Sequence, residues 1–273
     1  MTPQRSSISD SWARSDRQDK TDKISVIFET FLAECLFFYV TLTTSPALPL
    51  LTFLLSYDTI TKKIKSKRRD AMRLILASKS PRRREIFDGL GIKYEILTKD
   101  TDEGCDITDP QKKCEAIAKK KALAVLDMLK QTGDMTSDTY VIGADTLVYV
   151  DGEFLGKPTD REDARRMIRM LSSKTHGVYT AVAIAREDKV VCGCGHSLVT
   201  FSEMSEKDIE YYLDTDEPYD KAGAYAVQGK AAMFIEKIEG DYLSIVGLSP
   251  KTLGDTFMRG FGISLTSLIK GEA

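Results

Sequence analysis

Three consecutive cations, Arg82, Arg83 and Arg84, stand directly behind the pair Ser80-Pro81. Ser at an N-cap and Pro at the first helical position are residues that open a helix, so the arginines are expected at a helix N-terminus. That end already offers unpaired N–H groups and the positive pole of the helix dipole. Cations gathered there repel one another unless an anion sits among them. A solvated basic helix start is the plainer alternative. The apolar run Leu74–Ala77 just upstream favours a phosphate site, with a strand feeding a helix whose N-terminus faces the ligand.

Asp145 follows another apolar run, Tyr140–Ala144. A carboxylate at the end of a buried strand is held rigidly at a cleft edge, which suits a general base or a metal ligand. A turn or helix-cap aspartate is equally compatible with the local sequence. Glu103, with Asp102 and Asp106, lies in an acidic stretch whose oxygens suit a hard cation such as Mg²⁺ or a solvated loop. Lys157, in Gly156-Lys-Pro158, follows a predicted hairpin that returns it to the same end of the sheet. The stretch Asp220–Gly229 combines glycine turns with Lys221 and Gln228, a composition that lets backbone approach a ligand closely.

Other chemistries find less support. The 2 histidines, His176 and His196, are too few for a three-histidine zinc site. Ser80 lies before Pro81 and outside any Gly-x-Ser-x-Gly elbow, which disfavours a Ser80–His176–Asp145 triad. His176, just ahead of a predicted strand, reads as a structural histidine. Neither a phosphate-binding Gly-x-x-x-x-Gly-Lys-Ser/Thr loop nor a dinucleotide Gly-x-Gly-x-x-Gly turn occurs.

The elements that must position these residues follow from turns and caps. Leu74–Ala77 is a strand, and the helix from Pro81 stops at Gly89 and Gly91. Lys93–Thr98 is a second strand. Asp109 caps a helix that has Pro110 first and runs to about Gln131. The strand Tyr140–Ala144 ends on Asp145-Thr146. Val148–Leu155 is a hairpin turning on Asp151-Gly152. Thr159 and Glu162 form a capping box for a helix to about Leu171. Val178–Arg186 and Val190–Phe201 are paired strands turning at Glu187-Asp188. Ser205 opens another helix, Asp214–Gly223 is a polar loop, Met233–Ile238 is a strand, and the C-terminus is helical. Strands interleaved with helices and antiparallel hairpins predict a mixed-sheet α/β domain over 72–273.

Composition bounds the partners. The formal net charge of −2 argues against a general nucleic-acid binder. Residues 1–71 carry 11 Lys and Arg against 8 Asp and Glu, whereas the remainder carries 28 against 33. An acidic domain that takes phosphates needs a local cationic cluster, helped by a divalent metal. The 5 cysteines, Cys35, Cys105, Cys114, Cys192 and Cys194, are odd in number and lack zinc-type spacing, so they read as reduced thiols.

Residues 1–23 have the composition of a disordered segment. Cys35–Tyr57 carries no charge and meets the length of a membrane span, weakened by Pro46, Pro49 and the polar Thr41–Ser45. Should 35–57 insert, the basic run Lys62–Arg69 would put the C-terminal domain in the cytosol. The alternative, favoured here, is that 1–71 is a dispensable leader and the working protein begins at Met72.

Five stretches in order resemble the Maf family of nucleoside triphosphate pyrophosphatases. They are Leu76-Ala-Ser-Lys-Ser-Pro-Arg-Arg83, then Gly143-Ala-Asp-Thr146 with Gly156-Lys-Pro158, then Leu171-Ser-Ser-Lys-Thr-His-Gly-Val178. Glu217–Gly229 and Gly240–Leu248 complete the set. The match covers 72–273 and none of 1–71. It implies a two-lobed α/β fold with a mixed β-sheet and a central cleft. The implied reaction converts a nucleoside triphosphate to monophosphate and pyrophosphate with Mg²⁺ or Mn²⁺, in the cytoplasm, by an enzyme often found as a homodimer. By position, Asp145 is the proton acceptor. Ser80, Arg83, Glu103, Lys121, Lys157 and Lys221 line the cleft. Arg82, Thr146 and Gln228 match positions of the branch that prefers dTTP and UTP over modified guanine nucleotides. Ser173, Ala226 and Ser249 depart from the usual Gly, Gly and Pro. Two other classes are a silent nucleotide-binding regulator and a membrane-tethered adaptor using 24–69; the complete charged set argues against silence.

Overall fold

The structure, a computed structural model, describes residues 72–271. The expected leader at 1–71, with its apolar stretch and Cys35, lies outside the described residues. Among those described, no helix is long and apolar enough to cross a membrane.

Seven strands form one mixed sheet: β1 (Arg73–Leu76), β2 (Glu95–Ile96), β3 (Thr139–Val150), β4 (Glu153–Leu155), β5 (Thr175–Arg186), β6 (Lys189–Phe201) and β7 (Ile235–Glu239). The order is β2-β1-β3-β5-β6-β7, with β4 folded back onto β3. β1 runs parallel to β2 and β3, and every other pairing is antiparallel. The parallel neighbours β1 and β2 are joined through α1 (Pro81–Leu90), while β3–β4 and β5–β6 are hairpins closed by tight turns. At Asp151-Gly152 both turn residues have positive φ, 49° and 86°, as a two-residue hairpin requires.

Helix α2 (Pro110–Thr132) covers one face of the sheet. Its Ala118, Ala122, Val125 and Leu129 pack on Ile75, Val141, Ala181 and Ala183. On the opposite face Phe87 of α1 and Leu253 and Phe257 of α6 (Pro250–Phe261) meet Leu76, Ile142, Val182 and Ile184. A third cluster forms around the far ends of β3, β5 and β6. There Val148, Val178 and Phe201 meet α3 (Arg161–Leu171), α4 (Glu206–Leu213) and the short α5 (Tyr242–Val246). Helix α7 (Leu265–Lys270) closes the described chain. The mixed α/β class is as expected.

Several boundaries differ from expectation. β3 does not stop before Asp145 but continues through it, because β5 pairs with it from Val141 to Tyr149. β2 is only Glu95–Ile96, since β1 is short and offers it only two paired positions. The cap of α3 is Asp160, whose Oδ1 accepts from Asp163 N–H at 2.8 Å, one residue later than the Thr159 box. β5 begins at Thr175, so His176 lies within a strand. Met233 belongs to a 3-10 turn, and β7 starts at Ile235.

Candidate active site

The site forms where β3 lacks a neighbour on one edge. β1 accompanies it only as far as Ile142, and β4 joins only at Val148. Between them Asp145 and Thr146 are paired on the β5 side alone, with Ala181 and Thr180. Adjacent strand residues point to opposite faces. The open edge therefore gives one cavity access to side chains from both faces. That cavity, about 660 Å³, is lined by Ser80, Arg82, Arg83, Glu103 and Lys121. Asp145, Thr146, Lys157, Lys221 and Gln228 complete the sequence-predicted set, so all ten reach one place.

Asp145 is buried, at 6% exposure. Its Oδ1 accepts from Lys121 Nζ at 2.7 Å, and the same ammonium lies 2.8 Å from Glu103 Oε1. The second oxygen, Oδ2, is buried and has no hydrogen-bond partner among the described residues. Burial pushes the carboxyl above its usual range, and Lys121 and then Arg83 restrain that rise. Lys121 reaches Asp145 because α2 lies very close to β3 at Gly143. A Cβ there would sit 2.2 Å from the Ala118 carbonyl oxygen and 2.7 Å from Ala122 N. Only glycine permits this approach. Cys114 adds a second tie, its thiol lying 3.4 Å from the Asp145 carbonyl oxygen.

Arg83 is buried on the other face. Nε donates to the Gly247 carbonyl at 2.9 Å, Nη1 to Ser78 Oγ at 2.9 Å and Nη2 to Thr146 Oγ1 at 3.3 Å. Thr180 Oγ1 lies 3.1 Å from Thr146 Oγ1 and donates to the Ser244 carbonyl at 2.7 Å, which fixes the Thr146 end of this network. All of Arg83's partners are neutral. Burial lowers its pKa, opposed by the charge of Asp145. A guanidinium nevertheless keeps its proton in proteins, so it is a preset positive charge facing the cavity. Ser80 occupies the N-cap position of α1, yet its hydroxyl makes no capping bond. The helix starts where the sequence signal puts it, and the expected side-chain cap is absent.

Arg82 Nη1 lies 3.6 Å from Asp220 Oδ2, across the cavity from α1, and Lys221 contacts Asp220 Oδ1. Burial opposes ionisation of Asp220, but Lys221 and Arg82 outweigh it and lower its pKa. Gly223 N–H donates to the Gly156 carbonyl at 3.0 Å, tying the loop of Lys221 to that of Lys157. The cavity's apolar wall is Val148, Val178, Tyr225 and Ile245, all of one packed cluster. Gln228 is exposed at the rim.

Two acidic candidates do not reach the cavity, while His176 is structural, as the sequence reads it. Asp102 turns inward on its own loop, accepting from Gly104 N–H at 2.8 Å, and neither it nor Asp106 lines the cavity. His176 bonds Tyr225 at 2.8 Å through Nε2, and burial lowers its pKa to about 4. Lys121, not His176, holds Asp145, so no Ser–His–Asp relay exists. Sequence reasoning missed Ser78 and the Gly247 carbonyl, which orient Arg83, because small residues and carbonyls carry no chemical signal until folded.

A family model described as Maf-like protein matches residues 73–259. A dTTP/UTP pyrophosphatase of Bacillus velezensis is 48% identical over 177 residues, 64% of this chain and 90% of that protein. One of Hahella chejuensis is 44% identical over 196 residues, 71% of this chain and 95% of the relative. One of Caldanaerobacter subterraneus is 42% identical over 194 residues, 70% and 91%. The solved structure of the Staphylococcus aureus Ham1 protein aligns at a TM-score of 0.34 and 15% identity, over 59% of this chain and 90% of that one. That likeness is too weak to carry an argument.

Proposed function

The chain belongs to the Maf-like protein family, and from that premise we propose that it hydrolyses dTTP and UTP to the monophosphate and pyrophosphate. The observation that carries the reading is Asp145, buried in a cationic cavity with one oxygen held by Lys121 and the other unpartnered. The cavity's size falls within the ordinary range for a small-molecule site, roughly 300–1,000 Å³.

In the proposed reaction water attacks the α-phosphorus and the bond to the α–β bridging oxygen breaks, releasing pyrophosphate. Asp145 takes the water's proton through Oδ2, and its raised pKa makes it a stronger base than an exposed aspartate. Arg83, preset by Ser78 and Gly247, stabilises charge growing on the phosphate oxygens. Lys157 and Lys221 bind the remaining phosphates, and Ser80 offers a free hydroxyl beside the start of α1.

Mg²⁺ or Mn²⁺ belongs to the proposal, with Glu103 and Asp145 as the residues that would hold it. Among the described residues no group of three or more His, Cys, Asp or Glu side chains gathers for an ion. Two carboxylates suffice for Mg²⁺, which takes its remaining ligands from water and substrate phosphates. The unpartnered Asp145 oxygen serves as that ligand or as the base, one role in place of the other. Bound there, the ion would neutralise charge on the phosphate oxygens.

Base choice falls to Gln228, Arg82 and Thr146. The Gln228 amide can accept from the ring N–H of uracil or thymine and donate to an adjacent carbonyl. A flipped amide would suit cytosine equally well. Arg82, which only donates, breaks that tie. Thr146 acts through its bond to Arg83. Free nucleotides are the substrate class, the cytoplasm suits the free cysteines, and a homodimer follows the family resemblance.

The test is pyrophosphate release by the purified full chain across normal and 7-methyl-guanine triphosphates, with reaction in ¹⁸O-water. Faster turnover of dTTP and UTP, with label in the monophosphate, is the expected result. Release of orthophosphate, or no turnover of any triphosphate, would overturn the reading.

A further inference from the structure

We propose that Glu217 is a positioning residue for base selection, its carboxylate holding the backbone that aims Gln228. The proposal rests on Gln228 as the base reader. Glu217 precedes Pro218 at the start of the 3-10 turn Pro218–Asp220 and is 11 positions before Gln228 in sequence. Folding brings its carboxylate under the segment immediately after Gln228. Oε2 accepts from Lys230 N–H at 2.8 Å, and Oε1 accepts from Ala231 N–H at 3.2 Å. Oε1 also accepts from the Tyr212 hydroxyl at 2.8 Å.

The packing leaves no slack. Tyr212 is fully buried in α4, and burial first, then Glu217, raises its pKa, so the phenol stays a donor. Gly229 lies against the carboxylate so closely that a Cβ would stand 2.1 Å from Oε2. Gly229 N–H donates to the Ala226 carbonyl at 3.1 Å, and its own carbonyl accepts from Ala232 N–H at 3.1 Å. The turn around Gln228 is thus anchored on both sides of Gly229. Gln228 itself is exposed, and no described residue bonds its amide. Its aim toward a base is set by its backbone, and that backbone is set by Glu217.

Hydrogen bonds from N–H groups to a carboxylate are stronger than neutral ones, and leaving donors unpaired costs more than the bond contributes. Glu217→Gln keeps the shape but supplies one oxygen where two are used. It also turns an NH₂ toward an N–H donor. The loss falls on the aim of Gln228, some distance from Asp145, so the effect belongs in KM and selectivity and not in the chemical step.

The experiment measures kcat and KM of the full-length protein for dTTP and dCTP in Glu217→Gln, Gly229→Ala, Gln228→Ala and the double variant Glu217→Gln/Gln228→Ala. Glu217→Gln is expected to raise the KM for dTTP roughly tenfold, keep kcat within about threefold, and bring the dTTP:dCTP preference toward unity. Gly229→Ala should do the same by displacing the carboxylate. The double variant should be no less selective than Gln228→Ala alone, because both changes act on one interaction. Tyr212→Phe leaves both backbone bonds and should lower the melting temperature without moving the preference.

If Gln228→Ala leaves the preference unchanged, the Gln228 reading fails. If Gln228→Ala abolishes the preference while a folded Glu217→Gln or Gly229→Ala retains it, the positioning role is overturned and the hydrolase reading stands. Should Glu217→Gln fail to fold, Gly229→Ala decides by the same criterion.

Discussion

Lys121 holds Asp145 by one oxygen only: Nζ lies 2.7 Å from Oδ1, while the buried Oδ2 has no partner among the described residues. A purely structural ion pair in so buried a place would be expected to satisfy both oxygens, since an unpaired buried polar atom costs about 1–3 kcal/mol. Asp145 lines a cavity together with Arg82, Arg83, Lys157 and Lys221, and its unsatisfied oxygen is the atom assigned to water or a cation in the proposed reaction.

Asp145→Asn should therefore separate activity from stability. Turnover is expected to fall roughly a hundredfold or more, through loss of the base or the metal ligand. The melting temperature should hold or rise. The raised pKa means that the folded state binds the proton more readily than the unfolded one, so keeping Asp145 ionised at neutral pH weakens the fold. Near-normal turnover in the folded variant would remove Asp145 from the chemistry.

The pH–rate profile carries a second prediction. Asp145 must be ionised to act, and burial raises its pKa, so the acid limb of kcat/KM should lie above the ordinary aspartate value of about 3.9. Lys121 lowers that pKa. In Lys121→Met the acid limb of the residual activity should move to higher pH. A limb that stays in place or moves down would show that another group controls it.

Gly143→Ala tests how closely α2 must approach the sheet. A methyl 2.2 Å from the Ala118 carbonyl oxygen forces the helix outward. A stability loss of about 1–3 kcal/mol is expected, as for an overpacked core. Lys121 and Asp145 should part with it, lowering kcat. Chemical denaturation read beside kcat checks both, and unchanged stability would show that the helix shifts freely.

Residues 72–273 alone are expected to fold and to turn over like the full chain. The family match, 73–259, lies inside that span, as do all the residues placed around the cavity. An insoluble fragment, or one inactive while the full chain works, would give 1–71 a necessary part.

Much of this protein was legible from its sequence where the physics is local. Asp109 ahead of Pro110 opens α2, Asp151-Gly152 turns the hairpin, and Ser205 caps α4 with Asp208 completing the box. Each depends on a few neighbouring residues and their own backbone preferences. The spaced motifs and the resemblance they carry likewise named ten of the residues that line the cavity. The sequence could not show that β3 runs on through Asp145, because continuity there comes from pairing with β5. Nor could it show that Lys121 bonds Asp145 or that Glu217 holds the Gln228 turn, contacts made across 24 and 13 or 14 residues. Residue types limit which bonds are possible, but a contact forms only when packing brings its partners within hydrogen-bond distance. Here that depends on the missing Cβ atoms of Gly143 and Gly229 and on the one sheet edge that β1 and β4 leave open.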